Sequence, residues 1–160
     1  METVKIAIEM EDGGVMKGEL YPEIAPITVE NFLNLIDQDF FAGLIFHRVI
    51  PGFMIQGGGY DKEFNHHEAK SIKGEFSSNG VKNDLLHTRG VLSMARTMVP
   101  DSASSQFFIM HEDAPHLDGQ YAAFGKITEG LEIVDKIANM PRNFQDCPNE
   151  PVVIKTIRRD

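Results

Sequence analysis

One apolar run, Phe46-His47-Arg48-Val49-Ile50-Pro51-Gly52-Phe53-Met54-Ile55-Gln56-Gly57-Gly58, contains an arginine. Taking a guanidinium out of water is costly unless a partner compensates. Arg48 is therefore either paired with a buried carboxylate or displayed beside an apolar surface as a fixed hydrogen-bond donor. Composition alone favours the ion pair. Alternation along a strand separates Met54 and Gln56 from Phe53 and Ile55. It predicts Arg48, Met54 and Gln56 on one surface, with Phe53 beside them at the Pro51-Gly52 corner. Two further segments stand out beside it: Ser104-Ser105-Gln106-Phe107-Phe108-Ile109-Met110 and His116-Leu117-Asp118-Gly119-Gln120-Tyr121-Ala122-Ala123-Phe124-Gly125. Phe107 and Phe108 must point to opposite faces, so at least one of them is expected in the core.

Other chemistries have weaker support. Gly57-Gly58-Gly59 is followed by no Lys-Ser/Thr pair, so a bulge or tight bend is expected there rather than a phosphate cradle. His66 and His67 stand near Glu63 and Glu68, but adjacent side chains often diverge, and no metal site is expected. Ser104-Ser105 sits in no nucleophile-elbow pattern. His47, His87 and His111 read as hydrogen-bonded structural histidines. The chain has 1 cysteine, Cys147, which excludes an internal disulfide and a cysteine-based zinc site.

The elements that must position these residues are mostly short β-type runs. They are Val4 to Met10, Val15 to Tyr21, Phe46 to Ile50, Phe53 to Gly58, Gly90 to Arg96, Ser105 to Met110, Tyr121 to Ile127 and Val152 to Arg158. Asp12-Gly13-Gly14 between the first two is a tight-turn signal. Two segments have helical period instead. Val29, Phe32, Leu33, Ile36 and Phe40 share one face, with Pro26 near the start. Leu131 to Met140 is the second, with Thr128 as the expected N-cap, a Glu132–Lys136 pair, and Pro141 as the stop. Many strands with two helices suit a closed antiparallel barrel capped by helices, not repeated βαβ units. Tyr60 to Arg89 has weak periodicity and reads as loop wrapped on that barrel.

At 160 residues the chain is expected to be one domain, residues 1–160, able to bury a full core. Its net charge of −9 argues against nucleic acid and anionic lipid as partners. No apolar stretch is long enough to span a bilayer. The opening Met1-Glu2-Thr3-Val4-Lys5-Ile6 has no leader-like basic and apolar regions, so a cytoplasmic location is expected.

The motifs together resemble the cyclophilins, the cyclosporin-binding class of peptidyl-prolyl isomerases. The resemblance runs through Thr28-Val29-Glu30-Asn31-Phe32, the Phe46 to Gly58 segment, Leu92-Ser93-Met94-Ala95, Ser105-Gln106-Phe107-Phe108 and Leu117-Asp118-Gly119 to Phe124-Gly125-Lys126. Ser93-Met94-Ala95-Arg96 with Ser102-Ala103-Ser104-Ser105-Gln106 looks like the bacterial branch. It implies a mainly β fold, an eight-stranded barrel with two capping helices, and a cofactor-free isomerase acting on X–Pro bonds of flexible or unfolded chains. It also implies roles. Arg48 matches the catalytic arginine and Gln56 the glutamine beside it. Phe53, Met54, Phe108 and Leu117 match the proline-ring pocket, Ala95 and Arg96 the stretch whose backbone pairs with peptide, and Gln106 the same groove. His116 and Tyr121 depart from the well-studied eukaryotic members, which carry tryptophan and histidine there; weaker cyclosporin binding is expected, with catalysis kept. A monomer is expected. The other readings are a proline-peptide binding module with little turnover and a barrel carrying a small apolar ligand.

Overall fold

Alternating burial builds the sheet of this computed structural model, which describes residues 2–160. In β2 (Val15–Leu20) every second residue, Met16, Gly18 and Leu20, is buried. It pairs antiparallel with β1 (Val4–Met10) across the Asp12-Gly13-Gly14 turn, from Val4↔Leu20 to Glu9↔Val15. The remaining strands are β3 (Leu44–Ile50), β4 (Met54–Asp61), β5 (Val91–Met94), β6 (Phe107–Met110), β7 (Ala123–Glu129) and β8 (Ile154–Arg159). The order in the single sheet is β3-β4-β6-β5-β7-β2-β1-β8, all antiparallel. Its two ends meet at the Ile45↔Val153 bridge, where Gly43 N–H donates to the Ile154 carbonyl (2.8 Å) and Phe46 N–H to that of Val152 (3.0 Å). The seam nearly closes the expected eight-stranded barrel.

The interior is filled. Phe107 touches Phe32, Phe41 and Phe46 edge-on, at centroid separations of 5.3, 5.6 and 5.9 Å. Phe32 also meets Phe124 at 5.0 Å. A lumen for an apolar ligand is therefore occupied by the chain's own rings.

Helix α1 (Pro26–Asp37) starts with Pro26 in its first turn and buries Val29, Phe32, Leu33 and Ile36 as their spacing predicts. It ends before Phe40. Its N-terminal cap comes from far away: the buried Glu75 carboxylate accepts from the Thr28 N–H (2.6 Å) and hydroxyl (2.8 Å). A carboxylate there satisfies free N–H groups and complements the helix dipole. Glu75 lies in the long connection after β4, and Asn83 from the same stretch donates to the Glu75 and Ala123 carbonyls, both at 2.9 Å. The expected wrapping loop is thus tied to α1 and β7.

Helix α2 spans Leu131–Ala138, shorter than the predicted segment. Thr128 is not its cap. β7 runs on to Glu129, and Gly130 takes the N-cap with φ +94°, where an added Cβ would sit 2.8 Å from the Val15 carbonyl oxygen. Lys136 pairs with Asp12 (3.2 Å), not with Glu132, because the β1–β2 turn brings a carboxylate to that helix face.

Strand alternation makes β4, β5 and β6 serve two cores. Ile55, Leu92, Phe107 and Ile109 face the interior cluster. Met54, Val91, Phe108 and Met110 face a second, smaller cluster that includes Leu117, Ala114 and Ala123. That outer cluster is the base of the site. Phe107→Ala should destabilise the protein by about 3–5 kcal/mol, as for large-to-small changes in a packed core. Chemical denaturation measures this, and a loss under about 1 kcal/mol would remove Phe107 as the centre of the interior.

Candidate active site

Cross-strand register draws the chemistry into one row. Arg48 on β3 stands opposite Gln56 on β4, Gln56 opposite Phe108 on β6, and Phe108 opposite Ser93 on β5. The row needs β3 and β4 to approach closely beside it. At Gly57, opposite Phe46, an added Cβ would lie 2.6 Å from the Ile45 carbonyl oxygen, and the register shifts on both sides of Phe46. The glycine run is thus the expected bulge.

Arg48 is exposed, and among the described residues no carboxylate lies within ion-pair distance of it. Its Nη1 is 3.4 Å from Gln56 Oε1, and Gln56 Nε2 donates to Gln106 Oε1 at 3.0 Å. Two neutral amides therefore steer the guanidinium without cancelling its charge.

Beside it opens a cavity of about 160 Å³ lined by Arg48, Phe53, Met54, Gln56, Ala95, Arg96, Phe108, Leu117 and Tyr121. Met54, Phe108 and Leu117 form a buried floor, while Phe53 and Tyr121 are half-buried walls. Tyr121 meets Phe108 edge-on at 5.7 Å. Ala95 donates its N–H to the Gln106 carbonyl (3.0 Å). Gln106 and His116, both expected in the groove, lie outside this cavity. Gln106 stands one step behind, on Gln56, and lines an adjoining hollow. His116 is exposed, because the short turn Pro115–Leu117 directs only Leu117 inward; its ring sits 5.8 Å from Phe53.

Two polar supports were not legible in the sequence. Behind Phe108, the buried His87 ring stacks at 6.0 Å. Its Nε2 lies 2.8 Å from the Ser93 hydroxyl, its Nδ1 3.1 Å from Asp118 Oδ1, and Asp118 also accepts the His87 backbone N–H. The residue next to the floor residue Leu117 thus holds the ring beneath Phe108. At the Pro51-Gly52 corner, His111 Nδ1 accepts the Gly52 N–H (2.8 Å), while Nε2 lies 2.9 Å from Asp135 on α2. Arg89 donates twice to the same Asp135 carboxylate, at 2.6 and 2.9 Å, and holds its carboxyl below the usual range. Only the expectation that His87 and His111 are hydrogen-bonded pointed toward these supports.

His66 and His67 diverge to separate carboxylates, Glu68 (3.7 Å) and Asp61 (3.0 Å). No group of three potential metal ligands lies together among the described residues.

The family model for cyclophilin type peptidyl-prolyl cis-trans isomerases matches residues 4–159. The chain belongs to that family. A peptidyl-prolyl cis-trans isomerase of Acinetobacter baylyi is 45% identical, with 94% of this chain and 84% of that protein covered. Peptidyl-prolyl cis-trans isomerase B of Bacillus subtilis is also 45% identical, over 81% of this chain and 87% of that one. A cyclophilin type isomerase of Cryptosporidium parvum shares the fold with a TM-score of 0.85 and 29% identity, covering 99% and 98% of the two chains. A second structure of that protein, obtained in the presence of the dipeptide Ala-Pro, gives a TM-score of 0.83 and 30% identity over 98% of each chain. The cyclophilin fold, the isomerase activity and the kinship with bacterial enzymes all follow. No helix among the described residues is long and apolar enough to cross a membrane.

In this cyclophilin, burial disfavours the charged form of two histidines. Burial first, and the neighbouring Arg48 second, lower His47 from 6.5 to about 4, and its Nδ1 is buried without a partner. Burial lowers His87 too, with Asp118 opposing. Below their ordinary range the unfolded chain then binds more protons than the native one, so stability falls with falling pH. For His47 the loss runs between about 6.5 and about 4. Asp61, held at about 2 by His67 and then by the Asn65 N–H, acts only below that window. Denaturation midpoints followed across it should fall for wild type relative to His47→Leu as pH drops, because only wild type carries the lowered imidazole. A difference that is constant with pH would contradict the assignment.

Proposed function

We propose that the slot beside Arg48 receives the ring of a prolyl residue and that Arg48 is the catalytic group. The observation that carries this is a guanidinium with no carboxylate within ion-pair distance among the described residues, at the lip of a cavity floored by Met54, Phe108 and Leu117, and steered by the Gln56 and Gln106 amides. Support also comes from the Cryptosporidium relative studied with Ala-Pro.

The chemistry follows from the bond. An X–Pro amide rotates slowly because resonance holds it planar, with a barrier of about 18–20 kcal/mol. In the twisted transition state the imide nitrogen becomes pyramidal and carries a lone pair. An N–H donor fixed near that nitrogen binds the twisted form better than either planar form, which is what lowers the barrier. Arginine suits the task because it stays charged and its donors are rigidly arranged. No covalent bond breaks, so the residues need only bind, orient and exclude water.

One bond does not account for the whole effect. A charge-assisted hydrogen bond contributes about 1.5–3 kcal/mol, whereas a ten-thousandfold acceleration needs about 5.4 kcal/mol. The remainder is assigned to the slot. Phe53, Met54, Phe108 and Leu117 hold the ring while the preceding carbonyl swings, and they exclude water that would favour the planar resonance form. The Ala95 and Arg96 backbone, with Gln106 beside it, pairs with the extended substrate chain, and Tyr121 supplies a wall and a hydroxyl.

The same reading takes residues 1–160 as one domain acting as a cytoplasmic monomer that accelerates proline-limited folding steps. A binding module without turnover would need only the slot; the unclaimed guanidinium favours the enzyme. Arg48→Ala should lower kcat/KM on an X–Pro peptide by about 10- to 150-fold, the equivalent of one charge-assisted bond. Exchange NMR on wild type and variant checks this, and rates within twofold would overturn the role. Cyclosporin is expected to bind weakly, because His116 stands where the cyclosporin-sensitive relatives carry tryptophan. His116→Trp should tighten binding in a fluorescence titration, and an unchanged affinity would refute the assignment.

A further inference from the structure

The chain has six arginines, and among the described residues Arg89, Arg142, Arg158 and Arg159 each pair with a carboxylate. The two that do not, Arg48 and Arg96, both line the slot. Arg96 is held by other means. Its guanidinium carbon sits 4.6 Å from the centre of the Phe76 ring and 4.7 Å from that of Tyr121. Its Nε and Nη2 donate to the Gln120 carbonyl (3.3 and 2.6 Å) and its Nη1 to that of Thr97 (2.9 Å). Aromatic faces and carbonyls fix the group in place but leave its full charge, and two of its five N–H donors remain uncommitted.

The surroundings reinforce this field. Two hollows continue the slot, one of about 260 Å³ toward Gln106 and a wider one of about 800 Å³ toward His116. Arg96 lines both, and among the described residues no Asp or Glu lines the slot or either hollow. This holds in a protein with 24 acidic residues and a net charge of −9. The groove is therefore a cationic strip on an acidic surface.

We propose that the groove prefers prolyl segments carrying a carboxylate within a few residues of the proline, and that Arg96 is the residue that reads it. The inference rests on the reading that this groove takes prolyl peptides, and it names their charge class. The reach is short because physiological salt screens charges beyond about 8 Å, roughly two extended residues. Pre-fixing the guanidinium between two rings reduces the ordering cost of meeting a carboxylate. Exposed charge pairs are individually weak, so the preference is a matter of a few-fold, expressed in KM and kcat/KM more than in kcat.

The test is exchange NMR on terminally blocked X–Pro peptides with Glu, Gln or Lys one or two residues to either side of the proline. Wild type should favour Glu over Lys by about two- to fivefold in kcat/KM at low salt, with Gln between and the ratio falling toward one as salt rises. Arg96→Gln should bring the ratio close to one, whereas Arg96→Lys should retain it even if overall activity drops through lost stacking. A wild-type ratio of one, a ratio indifferent to salt, or an Arg96→Gln ratio equal to wild type would overturn the proposal. If no peptide is turned over, the catalytic reading fails. Chemical-shift titration of the same Glu and Lys peptides then decides the charge preference separately.

Discussion

A guanidinium can donate to so weak a base as an amide nitrogen only if no carboxylate has already engaged it. Arg48 meets that condition through strand register. Its cross-strand neighbour is Gln56, whose own neighbour is Phe108, so the position that could have held an acid holds a neutral amide and the next holds an apolar floor. The second amide, Gln106, leaves Gln56 little freedom to turn its oxygen away. A shift of one residue in β4 would invert the faces, sending Gln56 inward and Ile55 out. The bulge at Gly57 and the pairing of β4 with β6 fix that register.

The same register explains why the site is rigid. β6 offers Phe107 to the interior and Phe108 to the outer cluster, so one short strand joins the two cores. The slot is shaped by side chains whose backbones are fixed by the barrel. In the proposed mechanism this matters because the substrate, not the enzyme, must rotate: a floor that yielded would follow the ring instead of holding it.

Residue types gave the strands, helices and slot, but bounds and supports depended on contacts remote in sequence. Alternation in Val15 to Leu20 and helical spacing from Val29 to Ile36 reflect burial on one side, which each segment encodes by itself. That Arg48, Phe53, Met54, Gln56, Phe108 and Leu117 line one slot was legible because they cluster in dense motifs resembling one family. Thr128 misled as a cap because β7 runs on through it, and only the fold shows the space that Gly130 alone can occupy. Glu75 at the start of α1, Asp118 beneath His87 and Asp135 behind His111 could not be read. Their partners lie tens of residues away, and a single acidic residue carries no local signature of what it will face.

Those carboxylates reveal a rule of construction. Acids do take part in supporting the slot, yet each reaches it through an intermediary. Asp118 acts on the Phe108 floor through the His87 ring, and Asp135 acts on the Gly52 corner through His111 while Arg89 offsets its charge. The groups that touch the cavity itself are apolar, amide, phenolic, backbone or cationic. Bringing a carboxylate one layer closer would satisfy the same donors at lower cost in residues, but it would attract Arg48 and Arg96, and in the proposed mechanism no transient lone pair could compete with it for Arg48. Relaying the support through imidazole keeps the hydrogen bonds and leaves the negative charge behind, which is why the polar framework can be dense without disarming the arginines it surrounds.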